Sequence, residues 1–193
     1  MKIIRAGSCL ATPWKNGGGS TTEIAAEPSG ASLDTFDWRI SMAHVAADGP
    51  FSAFPGIDRT LVVIKGSGLV LTIGAGVPVT LACGSDPISF AGDIATSARL
   101  IGGEIVDLNV MTRRRRFSHE LRRLAQPASC DFDGNDIAVV LSLNGSATLA
   151  SDRDVATLDH GDAAVLTRAR DGRFEIVPIG TGGCYLVLFR EQR

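Results

Sequence analysis

The stretch from Phe36 to Ile73 constrains the fold more than any other. Residues 36–45 alternate with period two, as a β-strand requires. Phe36, Trp38, Ile40, Met42 and His44 fall on one face, and Asp37, Arg39, Ser41, Ala43 and Val45 on the other. One face is mainly large and apolar, the other smaller and more polar. Parity identifies the faces but not their destination, so the polar face reads equally as solvent-facing or as the lining of a polar cavity inside a barrel. The following loop, 46–56, is too rich in Gly and Pro for helix or central strand, and its two phenylalanines, Phe51 and Phe54, predict that it is packed down as a cap. Ile57 to Thr60 leads into Leu61 to Ile64, a short continuous apolar run typical of a buried strand. Gly66-Ser67-Gly68 turns the chain, and Leu69 to Ile73 is expected to return as the second arm of a hairpin.

The rest of the chain is punctuated in the same way. Residues 1–11, Thr21 to Ala25, Val77 to Leu81, Ile88 to Phe90 and Ile105 to Met111 read as strands. In the last of these, Val106, Leu108 and Val110 oppose Asp107, Asn109 and Met111. Past residue 130, Ile137 to Leu143 leads through Asn144-Gly145 into Ser146 to Leu149, a strong hairpin signature. Thr157 to Leu166 reads as strand, turn, strand, and Cys184 to Phe189 closes the chain. Residues 140–147 weakly echo residues 62–69, which suggests two related β units. Linker composition at Gln126 to Ser129 places the expected boundary there, giving domains 1–125 and 126–193 packed together. The composition agrees with many short strands and turns, since there are 22 Gly and 8 Pro with only 6% aromatic residues.

Several function classes are disfavoured. A net charge of −2 gives no reason to expect nucleic acid or an anionic membrane as partner. Six arginines do fall between Arg113 and Arg123, but without interleaved aromatics. They read as a solvated connector paired with carboxylates, with service of one arginine to a small acidic ligand left open. No apolar run near the N-terminus is long enough for a signal or a membrane span, so a cytoplasmic location is expected. Cys9, Cys83, Cys130 and Cys184 form no CxxC pair and are expected to be free. His44, His119 and His160 are far apart and lack the spacing of cupin metal ligands, so no metal or other cofactor is expected. Neither GxSxG nor a patterned Cys/His pair occurs, and no catalytic residue is assigned. Trp14 to Gly19 carries three consecutive glycines after Lys15 and Asn16. It reads either as an anion-binding backbone nest or as a flexible turn.

Pro13 to Gly19, Phe36 to Ser41, Asp48 to Ser52, Phe54 to Thr60 and Asp107 to Met111 together resemble the HutD/Ves family, in the family's order and spacing. The resemblance implies a bicupin, two packed jelly-roll barrels in an all-β chain. It also implies an association with histidine utilisation through binding of a small acidic metabolite, N-formylglutamate being the leading candidate. The polar residues of those motifs, Lys15, Asn16, Arg39, Ser41, Arg59, Asp107 and Asn109, form the candidate ligand-binding set. Arg59 is the first choice for a carboxylate, because a guanidinium can pair with it in bidentate fashion. Asparagine offers both a donor and an acceptor to a formyl or amide group. Trp38 is read as core, with an apolar wall of the site as the alternative. The expectation is a non-catalytic binder. Its rivals are a metal-independent cupin enzyme and a protein–protein adaptor. Expected partners are the small acid and, at most, a second copy of the chain in a homodimer.

Overall fold

The computed structural model of the chain describes residues 1–180 and 183–192. Among these it is almost wholly β, with nineteen strands and one four-residue α-helix, Arg168–Asp171. The chain divides into two compact units, residues 10–116 and residues 1–9 with 117–193. The first unit holds β2 (Ala11–Pro13), β3 (Gly19–Glu27), β4 (Trp38–Val45), β5 (Gly49–Pro50), β6 (Ile57–Lys65), β7 (Leu69–Ile73), β8 (Val79–Leu81), β9 (Ile88–Ala91), β10 (Thr96–Leu100) and β11 (Ile105–Arg113). The second holds β1 (Lys2–Ile4), β12 (Phe117–Leu124), β13 (Ala128–Cys130), β14 (Ile137–Leu141), β15 (Ser146–Ser151), β16 (Val155–Leu158), β17 (Ala163–Thr167), β18 (Phe174–Ile179) and β19 (Cys184–Glu191).

Each unit is built from two sheets. The first has orders β2-β3-β4-β11-β6-β9 and β5-β10-β7-β8, and the second has β1-β17-β14-β19-β12 and β13-β18-β15-β16. Strands β4 to β11 recur in the same spatial order as β12 to β19, each displaced by eight strands. The weak sequence echo therefore corresponds to a duplicated topology.

The turns at Gly66-Ser67-Gly68 and Asn144-Gly145 are not hairpins. Strand β6 pairs with β11 and β9, whereas β7 pairs with β10 and β8. Likewise β14 pairs with β17 and β19, and β15 with β16 and β18. Both turns carry the chain from one sheet of a unit to the other. Local turn chemistry announces a reversal but does not say whether the flanking strands pair. At the first corner Gly68 has φ of +112°, and a Cβ there would lie 2.3 Å from the Leu81 carbonyl oxygen, so only glycine fits.

Other expectations are corrected by pairing. Residues 1–11 hold only one whole strand, β1, and the first residue of β2, and these two strands belong to different units. The Arg-rich run is a connector only in part, because its second half is β12, paired with β19 from Phe117↔Glu191 to Leu124↔Cys184. The division at 125/126 is displaced: the chain changes unit at 116/117, and Ala128 and Ser129 pair with β18 within the second unit. The four cysteines are free, with Cys130 and Cys184 buried. No helix among the described residues is long and apolar enough to cross a membrane.

The interior of the second unit is apolar. Ala138, Val140, Leu149, Phe174, Ile176, Leu186 and Leu188 form one buried cluster, and Phe132 meets Phe174 edge-on at 5.2 Å between ring centroids. Burial on this scale is the main stabilising term of such a unit. The first unit has an equivalent cluster, including Ala43, Val45, Leu61, Val63, Leu69, Leu71 and Ala98, but it occupies only part of the interior.

Candidate functional site

Three adjacent strands bring the site together. In the register, Met111 stands between Arg39 on β4 and Arg59 on β6, Asn109 between Ser41 and Leu61, and Asp107 between Ala43 and Val63. Period two then places Arg39, Ser41, Arg59, Asn109 and Asp107 on the sheet face that carries Ala43, Leu61 and Val63 into the apolar cluster. The question left open by parity is settled: the smaller, polar face of β4 lines the interior. The opposite face, with Trp38 and Ile40, is buried as well.

Arg59 is only 6% exposed. Its Nη2 donates to Asn109 Oδ1 at 2.7 Å, and its Nη1 donates to the Ser52 carbonyl at 3.4 Å. The Phe51, Phe54 and Phe90 rings surround the guanidinium, with centroids 5.1, 5.6 and 5.3 Å away. Such rings offer their negative faces to a cation. Loop 46–56 therefore acts as the expected cap, with its aromatics gathered around the charge. Asn109 passes the contact on, its Nδ2 donating to Asp107 Oδ1 at 2.5 Å. Asp107 is 1% exposed, and burial pushes its carboxyl up to about 7 against the opposing pull of Arg59 and Asn109. Burial also lowers Arg59 to about 10, with Asp107 pulling the other way.

Two atoms of this line are left over. The Arg59 Nε–H and Asp107 Oδ2 are buried, and neither has a hydrogen-bond partner. Buried polar groups are normally satisfied, so one unmet donor and one unmet acceptor in a single chain of contacts set this cluster apart from an ordinary core.

Arg39 extends the line toward solvent. Its Nη1 donates to Ser41 Oγ at 3.2 Å and its Nε to Glu23 Oε2 at 2.7 Å. Side-chain exposure falls from 41% at Glu23 to 11% at Arg39. A β-bulge at Ile24 in β3 keeps Glu23 opposite Ser41 and shifts the register beyond it. A separate cleft of about 250 Å³, lined by Leu33, Ser52, Phe54, Ile57 and Arg113 among others, includes neither Arg59 nor Asp107.

Lys15 and Asn16 are not brought to this cluster. Both are exposed at the β2–β3 turn. Asn16 Oδ1 accepts from the Gly18 N–H, and the Gly17 N–H is taken by the Trp14 carbonyl. Gly19 pairs with Val45, six residues along β4 from Arg39 and two from Ala43, the neighbour of Asp107, but the Lys15 and Asn16 side chains stay on the exposed side of the turn. The glycines serve packing: a Cβ on Gly19 would overlap the His44 carbonyl oxygen at 2.1 Å. Three of the six arginines of the run are paired with carboxylates, and Arg113 donates to the Phe36 and Asp34 carbonyls. Arg114 pairs with Asp58 and Asp93, Arg116 with Asp37, and Arg122 with Glu120 and Asp133. Glu23 and Phe90 escaped the sequence reading, because only cross-strand register makes them neighbours of Arg39 and Arg59. Among the described residues no group of three or more His, Cys, Asp or Glu is placed to hold a metal ion.

A duplicated all-β fold with a polar cluster set into the interior of one unit defines a cupin-like protein. Oxalate decarboxylase of Lactobacillus farciminis shares that fold, with a TM-score of 0.67 at 8% identity over 98% of this chain and 86% of that one. The chain belongs to the HutD family, whose model matches residues 6–183. HutD from Pseudomonas fluorescens SBW25, solved in a formate condition, is similar over 100% of this chain and 99% of its own, with 30% identity and a TM-score of 0.86. An uncharacterized 21.2 kDa protein in the hutC 3′ region of Pseudomonas putida is 37% identical over 122 residues, 63% of each chain. Protein Ves of Citrobacter koseri is 40% identical over 110 residues, 56% of each chain. The aligned part of this chain thus spans about three-fifths of the length of these curated relatives.

Proposed function

We propose that this chain is a non-catalytic binder of a small acidic metabolite that also carries an amide, of the N-formylglutamate type. On this reading it is a cytoplasmic bicupin that modulates histidine utilisation. The observation that carries the reading is a difference between equivalent positions of the two units. Asp107 and Asn109 stand opposite Val63 and Leu61, and in the duplicate Leu186 and Leu188 stand opposite Val140 and Ala138. The second unit closes its interior with leucine at both places. The first unit holds a carboxyl, an amide and a guanidinium there, with two buried atoms unpartnered. A fold that needs only a core has no use for that arrangement, since each unmet polar group costs about 1–3 kcal/mol.

The chemistry suits an acid with an amide. Arg59 supplies positive charge in a place shielded from water, Asn109 reads donors and acceptors alike, and three phenylalanines exclude bulky polar groups. The hutC-region name of the Pseudomonas putida relative agrees with a histidine-utilisation setting.

A thermal-unfolding screen with N-formylglutamate, glutamate, urocanate and formate, with metal analysis of the same sample, tests this. A ligand at about a hundred times its Kd stabilises by roughly 2.7 kcal/mol, a rise of about 5–10 °C for a chain of this size. A shift with one acid supports the reading. No shift with any acid favours an adaptor, and a stoichiometric transition metal or a converted substrate favours an enzyme.

A further inference from the structure

We propose that the site binds its carboxylate together with a proton, and that Asp107 carries that proton on Oδ2; this rests on the small-acid reading above. The geometry singles out the residue and the oxygen. Asn109 Oδ1 is committed to the Arg59 Nη2–H, so the Asn109 amide must face Asp107 with its Nδ2. Asp107 Oδ1 accepts that bond, and Oδ2 is left buried and unmet. Among the described residues no arginine or lysine pairs with the Asp107 carboxylate directly, because Asn109 stands between it and Arg59.

The surroundings offer no other compensation. Across β4 the neighbour of Asp107 is Ala43, and across β6 it is Val63. Leu69, Leu71 and Ala98 of the facing sheet belong to the same apolar cluster. The charged groups facing this interior are Arg59 on β6, Arg39 on β4 and Glu23 on β3, and the last two are paired with each other. With Asp107 ionised, the inner cluster of Arg59 and Asp107 has no net charge. A carboxylate entering to take the free Arg59 Nε–H would then meet a second buried carboxylate, and two such groups in one site do not both stay ionised. Moving a proton from solvent to Asp107 Oδ2 removes the repulsion. It also turns an unmet acceptor into a donor aimed at the ligand. The raised proton affinity that burial gives Asp107 agrees with this.

Proton linkage has a signature that simple ion pairing lacks. The probe acids, N-formylglutamate and formate, are ionised above about pH 5.5, so any slope belongs to the protein. Calorimetric titration of the full chain with each probe from pH 5.5 to 9, in two buffers of different ionisation enthalpy, reads affinity and proton count together. The expected result is affinity nearly constant below about pH 6, then falling toward tenfold per pH unit above about 7, with uptake approaching one proton per ligand. Asp107→Asn is expected to bind with affinity independent of pH and with no uptake. Binding by the wild type without slope or uptake overturns the proposal and leaves the small-acid reading standing. Uptake that survives in Asp107→Asn assigns the proton elsewhere and also overturns it. Absence of binding by either probe at every pH overturns the carboxylate reading and the proposal with it. The proton count of the wild type decides the matter even where the variant fails to fold.

Discussion

Arg59 Nη2 donates to Asn109 Oδ1 across 2.7 Å, joining residues fifty positions apart on neighbouring strands. This one bond orients the amide, directs its Nδ2 to Asp107, and leaves one atom at each end of the line unmet. The arrangement makes the three residues interdependent, and their variants separate binding from folding.

Arg59→Ala removes the only cation of the inner cluster. Charge-assisted hydrogen bonds contribute about 1.5–3 kcal/mol each, so affinity for N-formylglutamate should fall by roughly 10- to 100-fold or more. Circular dichroism should show the β signature retained. Wild-type affinity in this variant would make Arg59 a structural residue.

Asp107→Asn should change the pH dependence of stability. The carboxyl is raised to about 7 in the fold from an ordinary value near 3.8. Between these values the folded chain holds the proton more tightly than the unfolded chain, so stability from this group is lost as pH rises from about 4 to about 7. In the variant that loss is absent. Unfolding midpoints of wild type and variant should therefore lie closest together near pH 4 and separate as pH rises, with the variant higher at pH 8. Parallel curves across this range would show that Asp107 does not titrate in it.

Phe132→Ala should weaken the fold and spare the site. Phe132 is fully buried in the second unit against Phe174. Removal of such a ring costs about 3–5 kcal/mol, which chemical denaturation will show as an earlier transition. Affinity per folded molecule should remain as in the wild type, and the stoichiometry one ligand per chain, because the second unit closes its interior with leucine.

Gly19→Ala tests the role of the glycine-rich turn. The added methyl would overlap the His44 carbonyl oxygen and force β3 away from β4. A loss of about 1–3 kcal/mol is expected, as for other overpacked positions. Lys15→Ala, at the exposed tip of the same turn, should leave both the unfolding midpoint and ligand affinity where they were. A weakened affinity for Lys15→Ala would bring the turn back into the binding site.

Much of the frame was legible because period two is a property of the strand itself. The alternation of Arg39 with Ser41 and of Asp107 with Asn109 gave the strands and the shared faces directly. Loop 46–56 was legible as a packed cap because aromatics among glycines and prolines have to be buried somewhere. The turns at residues 66–68 and 144–145 were misread as hairpins. Glycine reports a change of direction, whereas strand partners are chosen by residues far away in sequence.

Period two, turn residues and family motifs were enough for an all-β chain, the family, and a candidate set in which Arg59, Asn109 and Asp107 already appeared together with Lys15 and Asn16. Only the tertiary structure divided that set. Cross-strand register placed Arg39, Ser41, Arg59, Asn109 and Asp107 on one interior face, added Glu23 and Phe90, and left Lys15 and Asn16 exposed at the β2–β3 turn. It also decided that the opposite face of β4 is buried at Trp38 and Ile40 and that the polar face lines an interior instead of a wetted surface. The physical reason is that local periodicity fixes which side chains share a face, while burial depends on what the opposite sheet brings to that face.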